Sequence, residues 1–239
     1  MAASEGYEVC RFPELDYLAY GNRNGGVAPL PWQGVSSVME GFVRERACFN
    51  PRIDRIGSLE DLEKEIRHWV RFFGDHPSDG VLQQVFHLVQ IWGGNHGRYI
   101  YVQGPAFDWA AICPHYRALV EAVLHWGDRG SIDGIAVEDL DVEALVAAAV
   151  AMNAAMRAQG RKLGLSFITK HVHFWSCAVS VDREVPIFDR FLAQGLGVPL
   201  TWRNLGPYWR DMFHKADAEG LRVSALERKL FVYFRWKFE

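Results

Sequence analysis

A lysine and an aspartate stand nineteen residues apart in the stretch Gly164 to Gly197, at Lys170 and Asp189. The lysine follows Ser166, Phe167, Ile168 and Thr169, which predict a helix beginning near Ser166 with Lys170 just inside it. The aspartate sits in Val185-Pro186-Ile187-Phe188-Asp189-Arg190-Phe191, where Pro186 introduces a second helix that Asp189 opens. A lysine in the first turn of a helix feels the positive end of the backbone dipole, which disfavours its ammonium form. Free amine then becomes available as a nucleophile. An aspartate at a helix start gains from the same dipole and stays ionised. One nucleophilic amine and one persistent carboxylate suit displacement at a sugar C1′, where positive charge develops as a base departs.

The rest of the chain must bring these two groups together, and its pattern is helical. Residues 1–34, rich in Gly, Pro and Asn, read as an irregular arm, and Val35 to Phe49 as a helix ending before Pro51. Ser58 with Glu60 and Asp61 marks a helix start, and Leu59 to Phe73 repeats apolar residues at helical spacing. Ser78 caps a helix that stops at Gly93-Gly94, and Pro114 starts another that Gly127 stops. Asp139 or Asp141 starts an alanine-rich helix reaching Gly160. After the Lys170 and Asp189 helices come Asn204 to Ala218 and Ser224 to Trp236. Gly97 to Gly104 alone suggests a short strand. About nine helices and one weak strand predict an all-α fold in a single domain: lead-in helices over 35–160, the catalytic segment over 161–197, and C-terminal helices over 198–239.

Composition narrows the setting. A chain of 239 residues, half of them apolar and nine of them tryptophan, can bury one substantial core. No apolar run approaches the length of a membrane span, and the N-terminus carries no basic-then-apolar signal, so the reading is cytoplasmic. Cys10, Cys48, Cys113 and Cys177 are scattered without a metal-like spacing, which excludes a cysteine-held cluster and fits reduced thiols. The net charge of −3 runs against nucleic-acid binding. Its distribution is more permissive: between Glu143 and Asp182 there is no acidic residue, while Arg157, Arg161, Lys162 and Lys170 fall there. That surplus is suited to facing phosphates, or equally to a solvated helix end.

The lysine–aspartate spacing, the Ser-Phe-x-x-Lys-x-x-x-Phe run and the Val-Pro-Ile-Phe-Asp-Arg-Phe turn resemble the helix-hairpin-helix DNA glycosylases, and among them the compact bacterial 8-oxoguanine DNA glycosylase branch. The resemblance covers Gly164 to Gly197, with the upstream helices similar in number and character only. It implies a two-lobed helical fold without the extra N-terminal sheet domain of larger members. It implies Lys170 as the Schiff-base lysine and Asp189 as the catalytic carboxylate of a DNA glycosylase with lyase activity. It implies DNA with an everted modified purine as partner, no cofactor, no metal and a monomer. Where the family's hairpin carries two glycines against a DNA phosphate, this chain has Ser166 and Ile168. Compact relatives also occur in anti-phage gene clusters, so a hypermodified or deazaguanine-type base is a variant substrate. The alternatives are a catalytically silent module that binds a modified base or DNA, and a structural role inside a defence complex.

An everted base must be held between flat side chains. Phe167, Phe174, Trp175, Phe188 and Phe191 are candidate walls, with Phe231, Tyr233, Phe234 and Trp236 in the last helix, from which the resembled family lends an aromatic. The run from Ile91 to Arg98 places Gly93, Gly94, Asn95 and Arg98 where a base or phosphate can come close. Its competing reading is a plain helix stop, with Trp92 in the core or as a wall. Arg190 is a candidate phosphate contact beside Asp189. His171 is expected at a phosphate and His173 in the structure; two apart on a helix they point ~200° from each other, and no carboxylate or cysteine is expected to join them on a metal.

Overall fold

The computed structural model describes residues 59–74, 76–92, 108–128, 142–160, 163–179 and 184–238. The N-terminal arm, the expected helix Val35 to Phe49, the expected strand Gly97 to Gly104, and Gly93, Gly94, Asn95, Arg98, Arg161 and Lys162 lie outside the described residues. Among the described residues there are eight helices and no strand: α1 (Leu59–Phe73), α2 (Asp79–Trp92), α3 (Trp109–Asp128), α4 (Val142–Ala158), α5 (Leu165–Val179), α6 (Arg190–Leu196), α7 (Trp202–Ala218) and α8 (Val223–Phe238). The fold is all-α. No described helix is long and apolar enough to cross a membrane.

Local signals account for most boundaries. Leu62, Ile66 and Val70 recur every fourth residue along α1 and are fully buried, whereas Phe72 and Phe73 project into solvent. Ser78 precedes α2 as expected: its carbonyl accepts from the Leu82 amide at 2.9 Å and its hydroxyl from the Val81 amide at 3.4 Å. The start of α3 differs from the expectation. The helix begins at Trp109, and Pro114 lies inside it. Asp108 accounts for the earlier start, its carboxylate accepting from the Ala111 amide at 3.2 Å, and the Gln159 side chain at the end of α4 brackets the Asp108 backbone from both sides. A cap and buried Ile112 outweigh the one backbone bond that an internal proline forgoes.

The helices pack around α5. It lies against α1, α2 and α3, and is buried on almost every side from Phe167 to Cys177. Such a helix reads as apolar all round, which is why it carries little amphipathic signal. Helix α4 packs on α3 and α7, α7 on α8, and α8 on α6. One contiguous apolar cluster runs through all eight helices, from Leu62 to Phe234.

Candidate active site

Between α5 and α6 the chain runs extended from Glu184 to Asp189, and side chains from two helices hold its backbone. From α5, the Ser176 hydroxyl accepts the Val185 amide at 2.9 Å, His173 Nδ1 donates to the Val185 carbonyl at 2.9 Å, and the Thr169 hydroxyl accepts the Phe188 amide at 3.1 Å. From α7, the Trp209 indole donates to the Pro186 carbonyl at 2.9 Å and the Tyr208 hydroxyl to the Ile187 carbonyl at 2.7 Å. Non-helical backbone buried this deeply needs such partners for its polar groups. The outcome is a fixed register that delivers Asp189 to the start of α6.

Asp189 caps that helix, its carboxylate accepting from the Leu192 amide at 2.9 Å with the residue in extended conformation. The C-terminal end closes at Gly197, left-handed at φ 70°, with Val198 N–H returning to Ala193 O at 2.9 Å. The predicted electrostatics of the aspartate needs correction. Burial raises its pKa above the ordinary carboxylate value, against the opposing pull of the Leu192 and Phe191 amides and of Lys170. The cap and dipole are present, and desolvation outweighs them.

Lys170 lies in the second turn of α5 rather than the first, since the helix begins at Leu165. Its pKa is lowered, as expected, but burial is the cause; Asp189 and Glu227 pull the other way. The amine sits 5.0 Å from the centre of the Phe167 ring and 5.6 Å from that of Trp92, so two aromatic faces flank it. Amine and aspartate therefore share one environment, each acting on the other's ionisation. Desolvation disfavours the ammonium form there, while the two ring faces and the carboxyls favour it.

The other expected residues divide. Trp92 is partly exposed and meets Phe174 edge-on at 5.0 Å between centroids. Ser166 is partly exposed and Arg190 exposed, its guanidinium 4.8 Å from the Phe191 ring centre. Phe231 is partly exposed and meets Phe191 edge-on at 5.7 Å. Ile168 and Phe234 are core residues, each 1 % exposed, so neither offers a surface to a base or phosphate. Phe174, Trp175 and Phe188 are likewise enclosed, Phe188 stacking on Tyr208 at 4.3 Å. His171 is a correction. It has no exposed surface, and its two ring nitrogens lie 2.9 Å from Gln90 Nε2 and 3.0 Å from the Tyr116 hydroxyl, which also accepts from the Trp175 indole. Burial pushes its pKa down to about 3, so it is a neutral strut one residue beyond Lys170 and no phosphate ligand. Of the four cations in the acid-free window, Arg157 is exposed and Lys170 is turned inward to the carboxyls.

His173 acquires the neighbours it was expected to lack. One potential ligand atom each from His173, Cys177 and Glu184 lies within 4.8 Å of the others. The i,i+4 spacing of His173 and Cys177 on one helix was the available signal. Arg67 of α1 already fills the role of the cation there, paired with Glu184 and 3.0 Å from the Cys177 sulfur. Burial holds the thiol well above its ordinary value, so the thiolate that a metal requires is disfavoured. This cluster is an ion pair joining α1 to the extended segment.

Glu227 was not anticipated. It lies on α8 one turn before Phe231; its charge acts on Lys170, and the charge of Asp189 acts on it. Burial pushes its carboxyl up to about 8, with Asp189 adding to the effect. No family model, no curated protein and no solved structure matches this chain.

Proposed function

We propose that this chain is a DNA glycosylase with lyase activity that excises a modified purine, 8-oxoguanine by default and a hypermodified or deazaguanine-type base as the variant. The observation that carries the reading is the desolvated Lys170 amine, flanked by Trp92 and Phe167 and sharing its surroundings with the helix-capping Asp189. Asp189 stabilises the positive charge at C1′ as the base departs. The Lys170 amine then bonds to C1′ and passes the proton it sheds to the departed base, the sugar ring opens to an imine, and elimination of the 3′ phosphate nicks the strand. In this reading the all-α chain works as a cytoplasmic monomer, its helices forming the two lobes of a helix-hairpin-helix glycosylase, with Arg190 and Ser166 nearest the phosphates and Phe231 beside the everted base.

Borohydride reduction during incubation with duplexes carrying oxidised or hypermodified purines is the test. The expected result is a covalent protein–DNA adduct that Lys170→Gln abolishes. Asp189→Asn is expected to slow base release by at least a hundredfold while leaving DNA affinity nearly unchanged, in the range of a lost electrostatic stabiliser. Absence of an adduct on every such base sinks the lyase reading. The net charge of −3, with Ser166 and Ile168 in place of hairpin glycines, favours one second reading, a module that binds a modified base without chemistry. Affinity for modified DNA with no abasic product decides for it.

A further inference from the structure

One face of α8 lies along α6 and its capping residue. Phe231 meets Phe191 edge-on, and the Phe234 ring sits so close to Gly195 that an added Cβ would fall 2.2 Å from it. Glu227 occupies the same face one turn earlier, which brings its side chain toward the N-terminal end of α6, where the charge of Asp189 acts on it. The charged groups that face it are Lys170 from α5, Asp189 at the α6 cap, Glu184 from the extended segment and Arg228 of its own helix. The site thus holds one amine and two carboxyls, and the second carboxyl has no part in the steps above.

Resting on the glycosylase reading, we propose that Glu227 is the proton-transfer residue of the imine chemistry. It enters as the neutral acid and gives its proton to the oxygen that leaves C1′ as the C1′–O bond breaks and the Lys170 lone pair closes the C=N bond. That oxygen is O4′ in the aminal formed after base loss, or the carbinolamine hydroxyl at an abasic aldehyde. The resulting carboxylate then removes the proton from C2′. The C–H electron pair moves into the enamine, and the C3′–O bond breaks with the phosphate carrying its electrons away. Glu227 ends protonated, as it began, and no oxidant or reductant is consumed. Asp189 keeps the role given to it above, facing the cationic sugar. This assignment also fits the electrostatics, since a carboxyl raised to about 8 retains its proton at neutral pH.

The probe is a duplex containing one abasic site, which makes the test independent of which base is excised. With the full chain, borohydride is expected to trap an adduct at Lys170, and nicking is expected to fall as pH rises through about 8. Glu227→Gln keeps the shape of the side chain and loses the acid. It is expected to slow trapping and nicking on the order of a hundredfold and to remove the alkaline fall. Glu227→Asp, which keeps an acid on a shorter arm, is expected to retain that fall at a reduced rate. A wild-type adduct combined with unchanged rate and pH profile in Glu227→Gln overturns the assignment and leaves the lysine reading standing. Loss of the alkaline fall in both variants overturns it as well, because only packing is then at stake. No wild-type adduct on abasic DNA overturns both.

Discussion

In the glycosylase reading, Lys170 departs from what stability alone would select. Its charge is desolvated, and the lowered pKa means that burial outweighs the attraction of Asp189 and Glu227. At neutral pH a methionine of similar length gives up an amine whose charged form the fold disfavours. Lys170→Met is therefore expected to melt at the wild-type temperature or a few degrees above it while losing all adduct formation, the stability–function trade-off of a reactive residue. A drop of several degrees in thermal unfolding identifies a structural lysine instead. In the same reading Asp189 has two roles, cap and catalytic carboxylate, that can be separated at this scale. Asparagine caps a helix about as well as aspartate, whereas alanine loses about 1 kcal/mol with the cap. Asp189→Asn should thus retain stability in urea unfolding and Asp189→Ala should not, with chemistry lost in both.

Helix α6 is only seven residues long and gains little from its own hydrogen bonds, so its neighbours must hold it. The contact of Gly195 with Phe234 is one of those supports. A Cβ at Gly195 meets the ring of a side chain that is 1 % exposed and has no room to swing away. Gly195→Ala is expected to destabilise the protein by about 1–3 kcal/mol in urea unfolding, with Phe234→Leu in the same chain restoring part of the loss. Additive rather than compensating effects would mean that the two helices do not meet there. The neighbouring cap was legible in sequence because Asp before Arg190-Phe191-Leu192 is a local pattern. The seat of Phe234 was not, since every aromatic of α8 is a plausible core residue or base wall until α6 is laid beside it.

At the scale of the whole molecule, buried ionisable groups make stability depend on pH in opposing ways. Neutral His171 takes up no proton until about pH 3, whereas an unfolded histidine does so near 6.5, so its contribution is lost as pH falls below 6.5. Glu227 acts in reverse. Folded, it keeps its proton to about pH 8, while the unfolded carboxyl loses it near 4.5, so the fold loses stability as pH rises between these values. The stability of wild type minus that of Glu227→Gln should decline with rising pH across this window, by at most about 1.4 kcal/mol per pH unit for one proton. Chemical denaturation at several pH values measures it, and a flat difference removes the claim that Glu227 is held neutral.

The sequence by itself determined most of the described helices, because a 3.6-residue repeat, a capping serine or aspartate and a closing glycine are properties of neighbouring residues. Leu59 to Phe73 was legible to the residue for that reason, and Lys170 and Asp189 stood out because each was tied to a helix start. Only the tertiary structure decided the sign of the aspartate's shift, the enclosure of His171 and the arrival of Glu227 beside both. Those outcomes depend on how much water is excluded and on which distant segments meet. Desolvation and long-range contact belong to the packed chain, and no local pattern encodes them.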